Sequence, residues 1–183
     1  MSSTAARWFD LLDGLSRLSA QQWLLRSSAP VGASVVLLLE RLAGGTVQPW
    51  FLAIALAQAL LVAVLPDSGA GLVLVLLLGV HWAMFAPAAV TGWVLGAAIA
   101  LLGVHLGCTL ASYGPPSLVL DRLLLLRWGR RAAAVAAGTA ATWALVRFSP
   151  SGLGSTSGWA TGLALLVTLA WTLRLTRLLV ARR

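Results

Sequence analysis

His105 and Cys108 stand three residues apart in an apolar run, so a helix places imidazole and thiol on one face, and His81 falls in the run before it. Two nitrogen donors and one sulfur donor are ligand types that suit a soft metal. Axial position argues against the grouping. If the two runs are antiparallel helices, His81 and His105 differ in depth by about 8 Å at the helical rise of ~1.5 Å per residue. The expectation is two neutral histidines hydrogen-bonded to neighbouring helices, a packed thiol, and no metal or cofactor. Gln58, Thr139, Thr142, Thr161 and Thr168 also fall inside apolar runs, where a polar group is costly and so is a functional candidate. Gln58, His81 and His105 lead that set, and a carrier built on them predicts a polar cavity around all three. None of the residues assigned to depth is a carboxylate, which argues against a proton- or cation-coupled carrier.

Asp10 and Asp13 offer different chemistry. The stretch DLLDGLSR, Asp10 to Arg17, resembles the beginning of the CDP-alcohol phosphotransferase signature, in which Asp-x-x-Asp-Gly-x-x-Ala-Arg leads to two further aspartates. That resemblance implies divalent cations neutralising the pyrophosphate of an activated lipid. Asp10, Asp13 and Gly14 match, but Arg17 is one position early and no carboxylate follows before Glu40. Two oxygen ligands do not complete such a site.

The elements that position these residues follow from composition. Of 183 residues, 60% are hydrophobic and 10% charged, and the mean hydropathy is +0.92. The apolar runs have the length of roughly 17 to 25 residues that a helix needs to cross about 30 Å of hydrocarbon. They are continuous rather than alternating, which selects helices over a barrel. The fold class is therefore all-α, a polytopic helical membrane protein with about six transmembrane helices preceded by an amphipathic interfacial helix. The spans are expected at 28–44, 49–65, 69–86, 88–112, 131–148 and 158–175. Residues 1–27 form a cytoplasmic N-terminal segment, and 28–183 the transmembrane domain. In the N-terminal segment Trp8, Leu11, Leu12, Leu15 and Leu18 recur at helical spacing opposite Asp10, Asp13 and Arg17. Such a helix lies along a bilayer surface or packs on a partner. No cleavable signal peptide is apparent.

Arginine sets the direction. All 13 basic residues are Arg, against 5 acidic ones, for a net charge of +8. They gather at span ends, so lipid headgroups and orientation explain them, and nucleic acid is not an expected partner. If the 28–44 run crosses and both termini are cytoplasmic, only Arg41 and Arg147 fall outside. A five-span arrangement narrows or inverts that excess. The nine tryptophans all fall near proposed span ends. Arg122, Arg127, Arg130 and Arg131, with Arg174 and Arg177, then form a cytoplasmic face for anionic headgroups or a protein partner. Glu40–Arg41 and Asp121–Arg122 are adjacent opposite charges at boundaries. Neighbours on a helix do not face each other, so they snorkel or pair with other segments.

Gly92, Gly96 and Ala100 repeat at four, as do Gly103 with Gly107 and Ala134, Gly138 and Thr142. Small residues at that spacing mark helix-packing seams in lipid. There is no internal repeat.

Four phrases carry a family resemblance: WLLRSSAPVGASVVLLLERLAGG (23–45), LPDSGAGLVLVLLLGVHWAM (65–84), GVHLGCTLASYGPPS (103–117) and RWGRRAAAVAAGTAATWAL (127–145). In these the chain resembles a group of multi-pass membrane proteins of GC-rich bacteria, encoded beside MoxR-type AAA ATPases and von Willebrand A-like and transglutaminase-like proteins. The group supplies no catalytic residues. The resemblance implies a non-enzymatic membrane subunit or scaffold of an envelope-associated assembly. The alternatives are a small-molecule or lipid transporter and a lipid-modifying membrane enzyme.

Overall fold

Apolar runs separated by Pro and Gly fold here as helices, and the computed structural model describes residues 18–66, 69–87, 90–113, 117 and 119–148. In chain order these form α1 (Ala20–Leu42), α2 (Pro49–Val64), α3 (Ala70–Phe85), α4 (Gly92–Ala111) and α5 (Arg122–Phe148), with no strand among the described residues. The expected amphipathic helix, the 158–175 span, Arg174 and Arg177 lie outside the described residues.

α2 and α3 keep the expected limits to within a residue. Pro49 opens α2 because the first helical position needs no N–H donor, and Pro87 follows α3 because the residue before a proline is pushed to extended backbone, as Ala86 is with ψ 151°. α4 begins at Gly92, four residues later than expected. The first helix departs most. It starts at Ala20 rather than at 28, because Ser19 caps it by accepting from the Gln22 N–H at 3.2 Å. Pro30 therefore sits inside the helix, not at its start. α5 runs unbroken from the arginine-rich stretch into the fifth apolar run.

The chain divides into two compact units, Met1–Gly129 and Arg130–Arg183. In the first, α1 packs on α2, α3 and, most extensively, α4, closing an antiparallel four-helix bundle. The antiparallel sense is visible in the contacts. A Cβ on Gly107 would meet Ser28 and the Leu25 carbonyl, one on Gly32 would meet Val104, and one on Gly96 would lie 3.3 Å from Leu39. Small side chains thus let α1 and α4 approach closely. Ala29, Ala33, Val36 and Leu37 from α1 meet Phe51, Ala55, Ala59 and Val62 from α2, Leu74 and Leu78 from α3, and Val104 and Cys108 from α4.

Gly96 and Gly107 lie in this seam, while Gly92 and Gly103 meet nothing within 4 Å among the described residues. The periodicity at four was legible; its rotational phase was not. In the second unit, described residues leave the space beside Gly138 open, and no residue of α5 is buried.

The outward faces of α1 to α4 are apolar. Leu38, Leu60 and Leu76 are 56%, 59% and 56% exposed. Two helices, Ala20–Leu42 and Gly92–Ala111, are long and apolar enough to cross a membrane.

Because overpacking a tight interface costs about 1–3 kcal/mol, Gly107→Leu is expected to lower the thermal midpoint of the purified protein in detergent. Gly103→Leu, which meets no described residue, is expected to leave it unchanged. Equal midpoints for the two variants would place the α1–α4 seam elsewhere.

Candidate functional site

α1 ends in a glycine cap that fixes the position of Glu40. Gly44 adopts φ +90°, a conformation glycine reaches without a Cβ clash. The Gly44 N–H donates to Arg41 O at 3.0 Å and the Gly45 N–H to Glu40 O at 2.9 Å, so the last carbonyls of α1 are satisfied as the chain reverses. Gly45 then lies directly over Glu40, where a Cβ would come within 2.8 Å of Glu40 Cγ. The loop is short, and Gln48 becomes the N-cap residue of α2. Its side chain does not cap the backbone; it turns toward α3.

There the three helix ends meet on His81. The ring Nδ1 lies 3.0 Å from Glu40 Oε1 and 3.1 Å from Oε2, and Nε2 lies 3.0 Å from Gln48 Oε1. The hydrogen bond is directed at Oε2, and Oε1 receives none although it is buried. Phe51, in the first turn of α2, stacks on the imidazole with centroids 3.6 Å apart and planes 16° from parallel. Phe85, one turn further along α3, sits at 4.6 Å, tilted by 34°. Glu40 is 0% exposed and His81 is buried.

A buried carboxylate is stabilised by a charged partner and hydrogen bonds, or not at all. Here the pairing joins α1 to α3 and the amide adds α2. The arrangement resembles the orienting half of a catalytic triad, a carboxylate behind an imidazole. It stops there, because the group on Nε2 is an amide and not a nucleophile. Both ring nitrogens and one ring face are occupied, which leaves no open position for a metal or substrate.

This site corrects the expectation that no carboxylate is buried. Glu40 was placed at a boundary, snorkelling or pairing with another segment; it pairs with another segment while fully enclosed. The missed signal was axial position. Glu40 lies two residues from the end of α1 and His81 four from the end of α3, two helices that run the same way. They therefore share a level, whereas His81 and His105 do not.

The other candidates are dispersed. Gln58 donates from Nε2 to Ala70 O at 3.1 Å, tying α2 to the start of α3. His105 is exposed on an open groove of about 460 Å³ lined also by Pro66, Gly69, Cys108 and Ser112. Cys108 is buried against Gly71, whose added Cβ would lie 3.0 Å from the cysteine Cβ. Gln58, His81 and His105 thus share no cavity among the described residues. Nor do three His, Cys, Asp or Glu side chains gather as a metal site among the described residues. Arg122, Arg127 and Arg130 are exposed on α5, with Arg131 half-buried. Asp10 and Asp13 lie outside the described residues. Arg26, counted by sequence only among the cytoplasmic arginines, donates from Nη1 to Ala63 O and Val64 O, both at 3.3 Å, placing its charge at the negative end of α2.

Among the described residues, fold and site together define an all-helical protein with two helices long and apolar enough to cross a membrane and a carboxylate–imidazole pair sealed between helix ends. No protein family, curated protein or solved structure matches the chain.

Removing one partner of a buried pair leaves the other uncompensated, at a cost of roughly 3–5 kcal/mol. His81→Ala is accordingly expected to lower the thermal midpoint sharply, and Arg41→Ala, at an exposed neighbour of Glu40, to leave it near wild type. A wild-type midpoint for His81→Ala would show that the pair contributes nothing to the fold.

Proposed function

We propose that this chain is a non-enzymatic, multi-pass integral membrane subunit or scaffold of an envelope-associated assembly, with six spans and both termini in the cytoplasm. The observation that carries the reading is the division of the bundle surface. Large apolar side chains such as Leu38, Leu60 and Leu76 face outward, while Arg26, Gln58, Glu40 and His81 bond to other helices of the chain. A surface of that kind suits lipid, where polar groups must be satisfied internally. α2 and α3, 16 residues each, rise about 24 Å. The shortfall from about 30 Å of hydrocarbon is within what local thinning and interfacial anchoring absorb.

The arginines support the orientation and the mode of action. Arg122, Arg127 and Arg130 project from the start of α5 and offer guanidinium groups to anionic headgroups or to an acidic partner face. The sequence resemblance is the ground for placing the partner in an envelope assembly. A transporter is the second reading, and one observation favours it: a buried ionisable pair is a feature of coupled carriers. The dispersal of Gln58, His81 and His105 counts against it.

Purification from native membranes in mild detergent is expected to recover a stoichiometric protein partner, and joint replacement of Arg122, Arg127, Arg130 and Arg131 by Ala to release it. A lone, monodisperse chain from native membranes would contradict the scaffold reading. A reporter fused after Arg183 is expected to report the cytoplasm, and a reporter active only outside would reverse the topology.

A further inference from the structure

Glu40 and His81 are the titratable side chains enclosed where α1, α2 and α3 meet, and we propose that they form a proton-operated latch. The ion-paired state holds the three helix ends together, and uptake of a proton by Glu40 releases them.

The hydrogen-bond pattern identifies the closed state. Each ring nitrogen of His81 faces an oxygen, Nδ1 a carboxylate and Nε2 the amide oxygen of Gln48. With the Gln48 amide oxygen toward Nε2 and the Glu40 carboxyl at Nδ1, the closed state of the proposed latch has both nitrogens donating, an imidazolium opposite a carboxylate. The pair is neutral as a whole, which is how an enclosed charge is tolerated.

The two partners respond differently to a change of proton count. If His81 loses the Nε2 proton, Gln48 can turn its amide over and donate an N–H to the bare nitrogen, keeping the contact. No such adjustment serves Glu40. A proton on Oε1, the buried oxygen that receives no hydrogen bond, becomes a donor without an acceptor. The attraction to the imidazolium is lost at the same time. His81 is left as an enclosed cation without a counter-charge, held by the Gln48 amide oxygen and the face of Phe51. Acid is therefore the opening signal.

Release is confined to one end. Glu40 comes from the last turn of α1, Gln48 from the N-cap of α2 and His81 from the final turns of α3, so a single protonation acts where three helix ends meet. The opposite end is held by Arg26 on Ala63 O and Val64 O and by Gln58 on Ala70 O, none of which titrates under mild acid. Among the described residues few other charges bear on the pair. α2 and the 43–48 loop carry no titratable side chain, α3 carries none besides His81, and α4 has His105 and Cys108 in its C-terminal half, toward the other end. Arg41 is exposed and adjacent to Glu40 in sequence, so it points elsewhere. On the six-span topology proposed above, the latch faces away from the cytoplasm and reads the acidity outside; the latch itself does not rest on that topology.

The test is amide hydrogen exchange by mass spectrometry on the purified full chain in detergent. Exchange is measured from neutral to acidic pH and corrected for the intrinsic pH dependence of the amide reaction. In the wild type, peptides covering 38–52 and 79–86 are expected to gain exchange by about tenfold or more on acidification, while residues 58–64 and 70–78 keep their neutral-pH exchange. Glu40→Gln, which cannot form the ion pair, is expected to exchange at the open rate at neutral pH and to show no acid response. If that variant does not fold, Glu40→Leu with His81→Leu replaces the pair by apolar packing and is expected to stay closed throughout. A wild type in which both ends change in parallel or neither changes, or a variant that keeps the acid response, overturns the latch.

Discussion

A polar atom inside an apolar bundle has to find its partner within the chain, and most of the described bundle is shaped by that requirement. The hydroxyls settle it locally. Ser27, Ser28, Ser34, Thr109 and Ser112 donate to backbone carbonyls three or four residues back, as do Thr139 and Thr142 in the second unit. Longer side chains settle it between helices, and so determine which helix ends meet. Arg26 joins α1 to the end of α2, Gln58 joins α2 to the start of α3, and Gln21 accepts from the Leu120 N–H at 2.8 Å, fixing the approach to α5. Glu40, His81 and Gln48 close the other end. Gln22 departs from the rule: it is 0% exposed, and neither amide atom has a hydrogen-bond partner among the described residues.

Close approach makes these bonds reachable. The core is built largely from alanine and single branched residues, so the helices come near enough for a glutamate on one to reach an imidazole on another. Gly32, Gly96 and Gly107 do the same for α1 and α4. The cluster at His81 therefore depends on packing well away from it, and a side chain forced into the α1–α4 seam would be felt at Glu40 through the tilt of α1.

Much of the helix pattern was legible in the sequence, since long apolar runs bounded by Pro49, Pro66 and Pro87 leave few choices for where helices stop. The first helix was not, because the residues before 28 read as part of a polar segment; the Ser19 cap, accepting from the Gln22 N–H, decides otherwise. Glycine spacing revealed seams, but not that Gly103 turns away while Gly107 faces α1, because periodicity carries no rotational phase without a partner in view. Glu40 was hidden for a related reason. A charge at the end of an apolar run looks like a boundary residue, and only the shared level of α1 and α3, with Gly45 folded over the carboxylate, encloses it.

The account rests on lipid covering the outward apolar faces, and labelling of introduced cysteines reads that directly. In a Cys108→Ala background, single cysteines at Leu38, Leu60 and Leu76, each more than half exposed, are treated with a water-soluble maleimide in opened native membranes. A cysteine at Thr46, exposed in the loop, serves as the reference. The loop position is expected to label while the three helix positions stay unmodified until the protein is denatured. Labelling of Leu38, Leu60 and Leu76 positions at the rate of Thr46 would mean that water, not hydrocarbon, surrounds the bundle.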